Sequence, residues 1–375
     1  MPSLAEYCRT ELAALEAAHR RRSLTESMRD GVSVTQGVQR YISFACNDYL
    51  GLSQHPAVIA AAQEALAAYG AGAGASRLVT GDHPLYAPLE AKLAAMKGQE
   101  AALVFGSGYL ANIGTIPALV GKGDLILADK LVHACLLDGA QLSGATLKRF
   151  RHNDASHAQA LLQEHRAGYE RTLILVDHVY SMDGDVAPLA ELSALAKSHD
   201  AWLMVDDAHG FGVLRNRDTS GVDLWMGTLS KSVGAYGGYV AGAREIIDCL
   251  TSAARSLVFS TGLPPANCAA ALAALGIIEA EPQRGERALA LARRFTDALG
   301  LPPAQSAIVP LILGEERAAL AASDALRAQG ILAVAIRPPT VPPGTARLRL
   351  AFSAAHEDAH VERLIRALKT ERLAA

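Results

Sequence analysis

Between residues 101 and 205 the chain repeats one pattern. Short apolar runs at 101–105, 124–128, 146–150, 172–176 and 201–205 are bounded by polar or turn-forming residues, as expected of strands buried on both faces. Segments with helical spacing separate them at 109–119, 133–141, 155–165 and 188–198. This alternation predicts a mostly parallel sheet covered by helices on both sides, an α/β fold. Upstream, Leu4, Leu12 and Leu15 among polar neighbours predict an amphipathic helix over 3–22. A turn at Asp30-Gly31 then leads to a strand over 39–44 and helices over 57–69 and 85–97.

After residue 262 the texture changes. Helical stretches at 264–280 and 283–298 precede a strand at 307–313, a helix at 316–329, strands at 331–336 and 346–352, and a helix at 356–370. The run Arg337-Pro338-Pro339-Thr340-Val341-Pro342-Pro343 lacks the N–H groups of a helix or central strand and reads as a rigid loop. Three parts are expected: an N-terminal helical segment over 1–40, a large α/β domain over 41–262 and a small α+β domain over 263–375.

Composition narrows the function classes. Half of the 375 residues are hydrophobic and 19% are charged, which favours a well-buried globular chain over disorder. The formal net charge of −3 argues against nucleic acid as a partner. The basic run His19-Arg20-Arg21-Arg22 taken alone is the solvated end of a helix. Five cysteines, none in a C-x-x-C pair, form neither a disulfide framework nor a zinc pattern, so no metal is expected. No apolar stretch suggests a signal peptide or a membrane span, and a cytoplasmic protein is expected.

In parallel sheets ligands sit beyond the carboxyl ends of the strands, and four polar clusters fall there. Phe105-Gly106-Ser107-Gly108-Tyr109 places Gly-x-Gly between strand and helix, where backbone N–H groups can cradle a phosphate. It lacks the third glycine of a dinucleotide fingerprint and the Gly-Lys of an NTP-binding loop. His133 follows the second apolar run; most such histidines are structural, but imidazole can also cover a flat ring. Asp206 ends the last run, with His209 three residues on; a capping carboxylate is the plain alternative to one facing a cationic ring nitrogen. Lys231 lies in Gly227-Thr228-Leu229-Ser230-Lys231-Ser232. A lone lysine is normally solvated, yet Thr228 and Ser230 can bind phosphate, and a desolvated lysine amine can form a Schiff base.

These clusters, with Asn47-Asp48-Tyr49-Leu50-Gly51, Gly74-Ala75-Ser76-Arg77 and Ser181-Met182-Asp183-Gly184-Asp185, resemble those of the α-oxoamine synthases over about residues 40–370. The resemblance implies a fold-type-I pyridoxal-phosphate (PLP)-dependent transferase. Lys231 would carry PLP as a Schiff base, and Asp206 would pair with the ring nitrogen. His133 would stack on the ring, and His209 and Ser181 would approach its phenolic oxygen. Gly108, Tyr109, Thr228 and Ser230 would hold the phosphate, joined by Thr261 from a second subunit in a homodimer with shared active sites. Arg349, helped by Asn47, would bind the amino-acid carboxylate; Arg347 lies on the same face of its strand, so spacing alone does not separate the two. Ser76, Thr340, Arg20 and Arg21 would also contact substrate.

Within the family, the segment 336–350 looks most like members that condense L-alanine with pimeloyl-CoA or a pimeloyl-acyl-carrier protein, losing CO2. Relatives that use glycine or serine with other thioesters would use the same residues. A non-catalytic PLP-fold protein or a scaffold would not need Lys231, Asp206, His133 and Arg349 together. Departures from the family pattern are Asp177-His178 before the Ser181 motif, Tyr86 where a histidine is usual, Gly72-Ala73-Gly74-Ala75-Ser76, and a short stretch over 214–225.

Overall fold

The computed structural model describes residues 1–18, 20–215 and 221–371. His19 of the basic run and the middle of the short 214–225 stretch lie outside the described residues. In chain order, helix α1 (Leu4–Ala17) precedes strands β1 (Met28–Asp30), β2 (Ser33–Gln36) and β3 (Gln39–Ser43), then α2 (Pro56–Tyr69) and α3 (Tyr86–Lys97). The central part runs β4 (Ala101–Phe105), α4 (Gly108–Leu119), β5 (Leu125–Asp129), α5 (Ala134–Ser143), β6 (Thr146–Phe150), α6 (Ala155–His165), β7 (Thr172–Asp177), α7 (Leu189–Ser198) and β8 (Trp202–Asp206). Then come β9 (Leu224–Thr228), β10 (Gly238–Gly242), α8 (Arg244–Ala253), α9 (Arg255–Val258) and α10 (Pro265–Ala280). The last part is α11 (Gln283–Ala298), β11 (Ile308–Gly314), α12 (Glu316–Ala328), β12 (Ile331–Leu332), β13 (Val334–Ile336), β14 (Ala346–Ala351) and α13 (Asp358–Thr370).

The large sheet has strand order β4-β10-β9-β8-β7-β5-β6. It is parallel except for β10, which runs antiparallel to both neighbours. β4, β5, β7, β9 and β10 are buried throughout, which explains their unbroken apolar runs. β6 is the edge strand and leaves Thr146, Leu147 and Arg149 exposed, charge at such an edge opposing pairing with another chain.

Patterning does not reveal β9 and β10, because glycine interrupts both. The glycines are there for close approach: a Cβ on Gly238 would come 2.4 Å from the Gly108 nitrogen. The start of α4 can therefore lie directly against the start of β10.

The packing departs from the three-part division in two places. Residues 28–43 are not helical but form a meander whose β3 pairs in parallel with β12 from the C-terminal part. Helix α10 contributes Cys268, Ala271, Ala274 and Leu275 to the large core and packs on α2 and α3, so the large unit extends past 262. A second core gathers Phe44, Leu291, Phe295, Leu326, Leu350, Phe352 and Leu364 around the sheet β11-β14-β13. The strand expected over 331–336 splits between two sheets, β12 on β3 and β13 on β14.

Helix α1 ends at Ala17 rather than near 22, and buries none of its residues. All five cysteines are free. Among the described residues no helix is long and apolar enough to cross a membrane.

Candidate active site

A cleft of about 250 Å³ opens at the carboxyl ends of β4, β7, β8 and β9 and is lined by Gly108, Tyr109, His133, Asp206, His209, Thr228, Ser230 and Lys231. Eight residues singled out from the sequence therefore line one cleft. A larger groove of about 370 Å³ beside Asp183, Gln305 and Pro310 contains none of them.

Each side chain is held for a local reason. β8 delivers the buried Asp206 to the floor. Its Oδ1 accepts from the Ala208 N–H at 3.0 Å and its Oδ2 from Asn112 Nδ2 at 3.0 Å. Burial pushes the Asp206 carboxyl up, an effect Lys231 partly opposes. Ser107 caps α4 by accepting from the Leu110 N–H at 3.1 Å. The first N–H groups of that helix have no intrahelical partner, and its start lines the cleft, where such groups can meet an anion. Opposite them the Thr228 and Ser230 hydroxyl oxygens lie 2.8 Å apart. His133 caps α5, and burial lowers its basicity.

Lys231 Nζ lies 2.7 Å from His209 Nε2. Burial lowers the pKa of the lysine, with Asp206 and Asp177 pulling the other way. Burial, then the Lys231 and Arg349 charges, hold His209 well below the usual histidine range. A neutral imidazole beside a lysine can share one proton with it, which favours an amine able to react or to act as a base.

From His209 the contacts continue to the small domain. His209 Nδ1 is 2.7 Å from the Tyr49 hydroxyl, which donates to Asn47 Oδ1 at 3.1 Å and accepts from Arg349 Nη2 at 3.2 Å. Arg349 Nη1 also reaches Asn47 Oδ1 at 3.2 Å, and its Nε donates to the Ser181 carbonyl. Geometry thus separates the two arginines on β14. Arg347 is bound by Asp183, at 2.5 Å, and by the Met182 carbonyl, whereas Arg349 connects to Lys231 through the side chains of Tyr49 and His209. Ser181 contributes its carbonyl behind Arg349 and is not among the cleft-lining residues.

Other predicted residues lie apart from the cleft in this single chain. Thr261 is exposed and pairs through a backbone bridge with Ser76. Tyr86 anchors that segment: its hydroxyl accepts from the Leu263 N–H, and the Arg77 guanidinium covers its ring at 3.8 Å. Arg21, past the end of α1, pairs with Glu16 of that helix, and Arg20 is exposed. Of the basic run, it is Arg22 that reaches Thr340, at 3.4 Å.

Sequence reasoning did not single out Tyr49, Asn112 or Cys135, and named Asp177 only as a departure from the family pattern. Asp177 ends β7 in the cleft, accepts from the His133 N–H at 3.2 Å, and is held well above the usual carboxylate range by burial and by Asp206.

The donor set suits PLP: N–H and hydroxyl donors at one end for a dianion, a carboxylate at the other for a ring nitrogen, a lysine between them and an imidazole on the wall. The aminotransferase class I and II family profile matches residues 39–368, and the chain belongs to that family. Within it, the chain is 60% identical over 368 residues to an 8-amino-7-oxononanoate synthase of Methylobacterium nodulans, covering 98% of this chain and 97% of the relative. It is 59% identical to that of Methylorubrum populi, over 98% and 94% of the two chains. Among solved structures, Sphingomonas wittichii serine palmitoyltransferase superposes with a TM-score of 0.92 at 31% identity, covering all of both chains. Francisella tularensis 8-amino-7-oxononanoate synthase superposes at 0.75 and 25% identity, over 88% of this chain and 98% of that one. A serine palmitoyltransferase from S. paucimobilis with a bound PLP–myriocin aldimine gives 0.92 at 29% identity, over 100% and 99%.

Proposed function

We propose that this chain is a PLP-dependent acyltransferase that condenses L-alanine with a pimeloyl thioester, giving 8-amino-7-oxononanoate, CO2 and the free thiol carrier, a step of biotin synthesis. The carrier is coenzyme A or an acyl-carrier protein. The observation that carries the reading is the path Lys231–His209–Tyr49–Arg349, which ties a guanidinium able to bind a carboxylate to the reactive amine through two side chains. Identity of 60% to a curated 8-amino-7-oxononanoate synthase, against 31% to a serine palmitoyltransferase, favours alanine over serine.

When bound, PLP supplies an electron sink for the carbanion at the alanine Cα and for loss of the carboxylate. Lys231 anchors the cofactor and then takes the Cα proton on its amine. His209, neutral through burial, receives a hydrogen bond from that amine without competing for its charge. Asp206 keeps a proton on the ring nitrogen. Gly108, Tyr109, Thr228 and Ser230 bind the phosphate, and Arg349 with Asn47 orients the alanine carboxylate.

In the working enzyme two copies share their sites in the cytoplasm, and the exposed Thr261 of each completes the phosphate site of the other. Arg20, Arg21, Ser76 and Thr340 contact the acyl substrate at the mouth, and Ser181 acts from behind Arg349.

The test is mass analysis of products from a panel of L-alanine, glycine and L-serine against pimeloyl-, acetyl-, succinyl- and palmitoyl-CoA. The expected result is 8-amino-7-oxononanoate from alanine and pimeloyl-CoA at least about 100-fold faster than any other pair. Preference for serine with a long acyl thioester would overturn it.

A further inference from the structure

At the cleft, two side chains, Asn112 and Cys135, link Asp206 to His133. Asn112 is fully buried, and its Nδ2 lies 3.0 Å from Asp206 Oδ2 and 3.0 Å from Cys135 Sγ. Cys135, also buried, brings its Sγ within 2.8 Å of His133 Nδ1. We propose that Asn112 and Cys135 are positioning residues that fix His133 as its Nε2–H tautomer and couple that choice to the carboxylate of Asp206.

The assignment follows from counting donors. An amide nitrogen has two hydrogens and cannot accept, so Asn112 donates to both Asp206 and the sulfur. The sulfur, used there as acceptor, has one hydrogen left. Burial, then the Asp206 charge, hold the Cys135 thiol far above its usual range, so that hydrogen is present, and His133 Nδ1 is the acceptor in reach. The Cys135 backbone N–H points at the same nitrogen from 3.3 Å. With Nδ1 accepting from both, the proton of the neutral imidazole sits on Nε2.

The direction of the relay is set at its Asp206 end. Asn112 Oδ1 is buried without a hydrogen-bond partner among the described residues. Flipping the amide would turn that oxygen toward the carboxylate and reverse a favourable contact into a repulsive one. An ionised Asp206 therefore holds the amide, the amide leaves the thiol hydrogen free, and the thiol sets the imidazole. This inference rests on the reading of the cleft as a PLP site only for its kinetic consequence; the tautomer belongs to the chain itself.

The test uses full-length protein with ¹⁵N-labelled histidine, without and with PLP, in wild type, Cys135→Ala and Cys135→Ser. Wild type should show His133 protonated on Nε2 alone in both conditions. Cys135→Ala should show a mixture of tautomers and, with PLP, a kcat about tenfold lower. Cys135→Ser, whose hydroxyl can donate to Nδ1 and accept from Asn112, should restore the single tautomer and kcat to within about twofold of wild type. An unchanged tautomer in Cys135→Ala, or a serine variant as impaired as the alanine one, overturns the proposal. A clean tautomer result with the wrong condensation product would overturn only the functional reading.

Discussion

Two lysine–aspartate pairs flank the end of β8, one fully buried and one with its lysine part-buried at the cleft, and they are built for opposite purposes. On the cleft side, Asp206 and Lys231 line the same hollow, and Lys231 Nζ meets His209 Nε2 at 2.7 Å. Immediately after it in sequence, Asp207 is bound on one oxygen by Lys97 and on the other by His178 Nδ1 at 2.6 Å. Lys97 lies 4.4 Å from the Trp225 ring centre and 5.0 Å from that of Phe211. Successive residues of a strand point to opposite faces. Met226 on β9 lines the cleft while its neighbour Trp225 faces the Lys97 side.

Electrostatics follows the geometry. Burial pushes both carboxyls up; at Asp207 the Lys97 and His178 charges more than reverse it, whereas at Asp206 the partners do not. A fully paired ion cluster is structural, and a partly paired one is free to meet a ligand's charge. His178, a departure from the family pattern, is part of the structural cluster.

The sharpest way to break the contrast is to exchange the consequences. Lys231→Ala is expected to lower kcat by about 10³-fold or more with little change in melting temperature. Lys97→Ala should destabilise the fold, because Asp207 is left buried and short of a cation. Steady-state kinetics and thermal melts on both variants check this. Next in size, Asp207→Asn should cost about 3–5 kcal/mol of unfolding free energy in denaturant titrations. Asp206→Asn should leave the apo-protein as stable or slightly more so, while weakening PLP binding.

Acid unfolding sharpens the same comparison. Asp207 has a folded pKa below its unfolded value of about 3.9, so its contribution is present above that value and is lost as pH falls through the folded one. Asp206, with its pKa raised, works in the other direction and favours the fold as pH falls. Asp207→Asn should therefore flatten the acid limb of the stability curve, and Asp206→Asn should steepen it.

Smallest in effect are two histidines sorted the same way. His152, 3.0 Å from Asp129 and 2.8 Å from Asp185, is raised to about 10 despite burial, and His356, stacked on Phe44, is lowered by burial to about 4. Unfolded histidine titrates near 6.5. His152 therefore adds stability below that pH that is lost as pH rises through about 10. His356 adds stability above it that is lost as pH falls toward about 4. Histidine NMR titration should find the first charged and the second neutral at pH 7.

Much of this was readable in the sequence because burial writes itself into composition. β5 and β7 are largely apolar runs, Asp206 ends β8, and Lys231 stands just past the end of β9. Strands β9 and β10 were hidden because Gly227 and Gly238 serve close contacts, with Tyr239 and with the start of α4. Residues that act through distant partners were hidden for another reason. Tyr49 meets His209 across 160 positions and Asn112 meets Asp206 across 94, pairings that no local pattern records. Lys97, at the end of α3, reads as a solvated helix-terminal charge until Asp207 and two aromatic rings are seen around it.

The difference between the two lysines can be measured directly. The protein is loaded with PLP, the carbon–nitrogen bond between cofactor and protein is reduced with borohydride, and the digest is mapped by mass spectrometry. The pyridoxyl group should appear on Lys231, with Lys97 unmodified and no adduct in Lys231→Ala. A pyridoxyl group on Lys97, or one that persists on another lysine in the Lys231→Ala protein at wild-type level, would contradict the account.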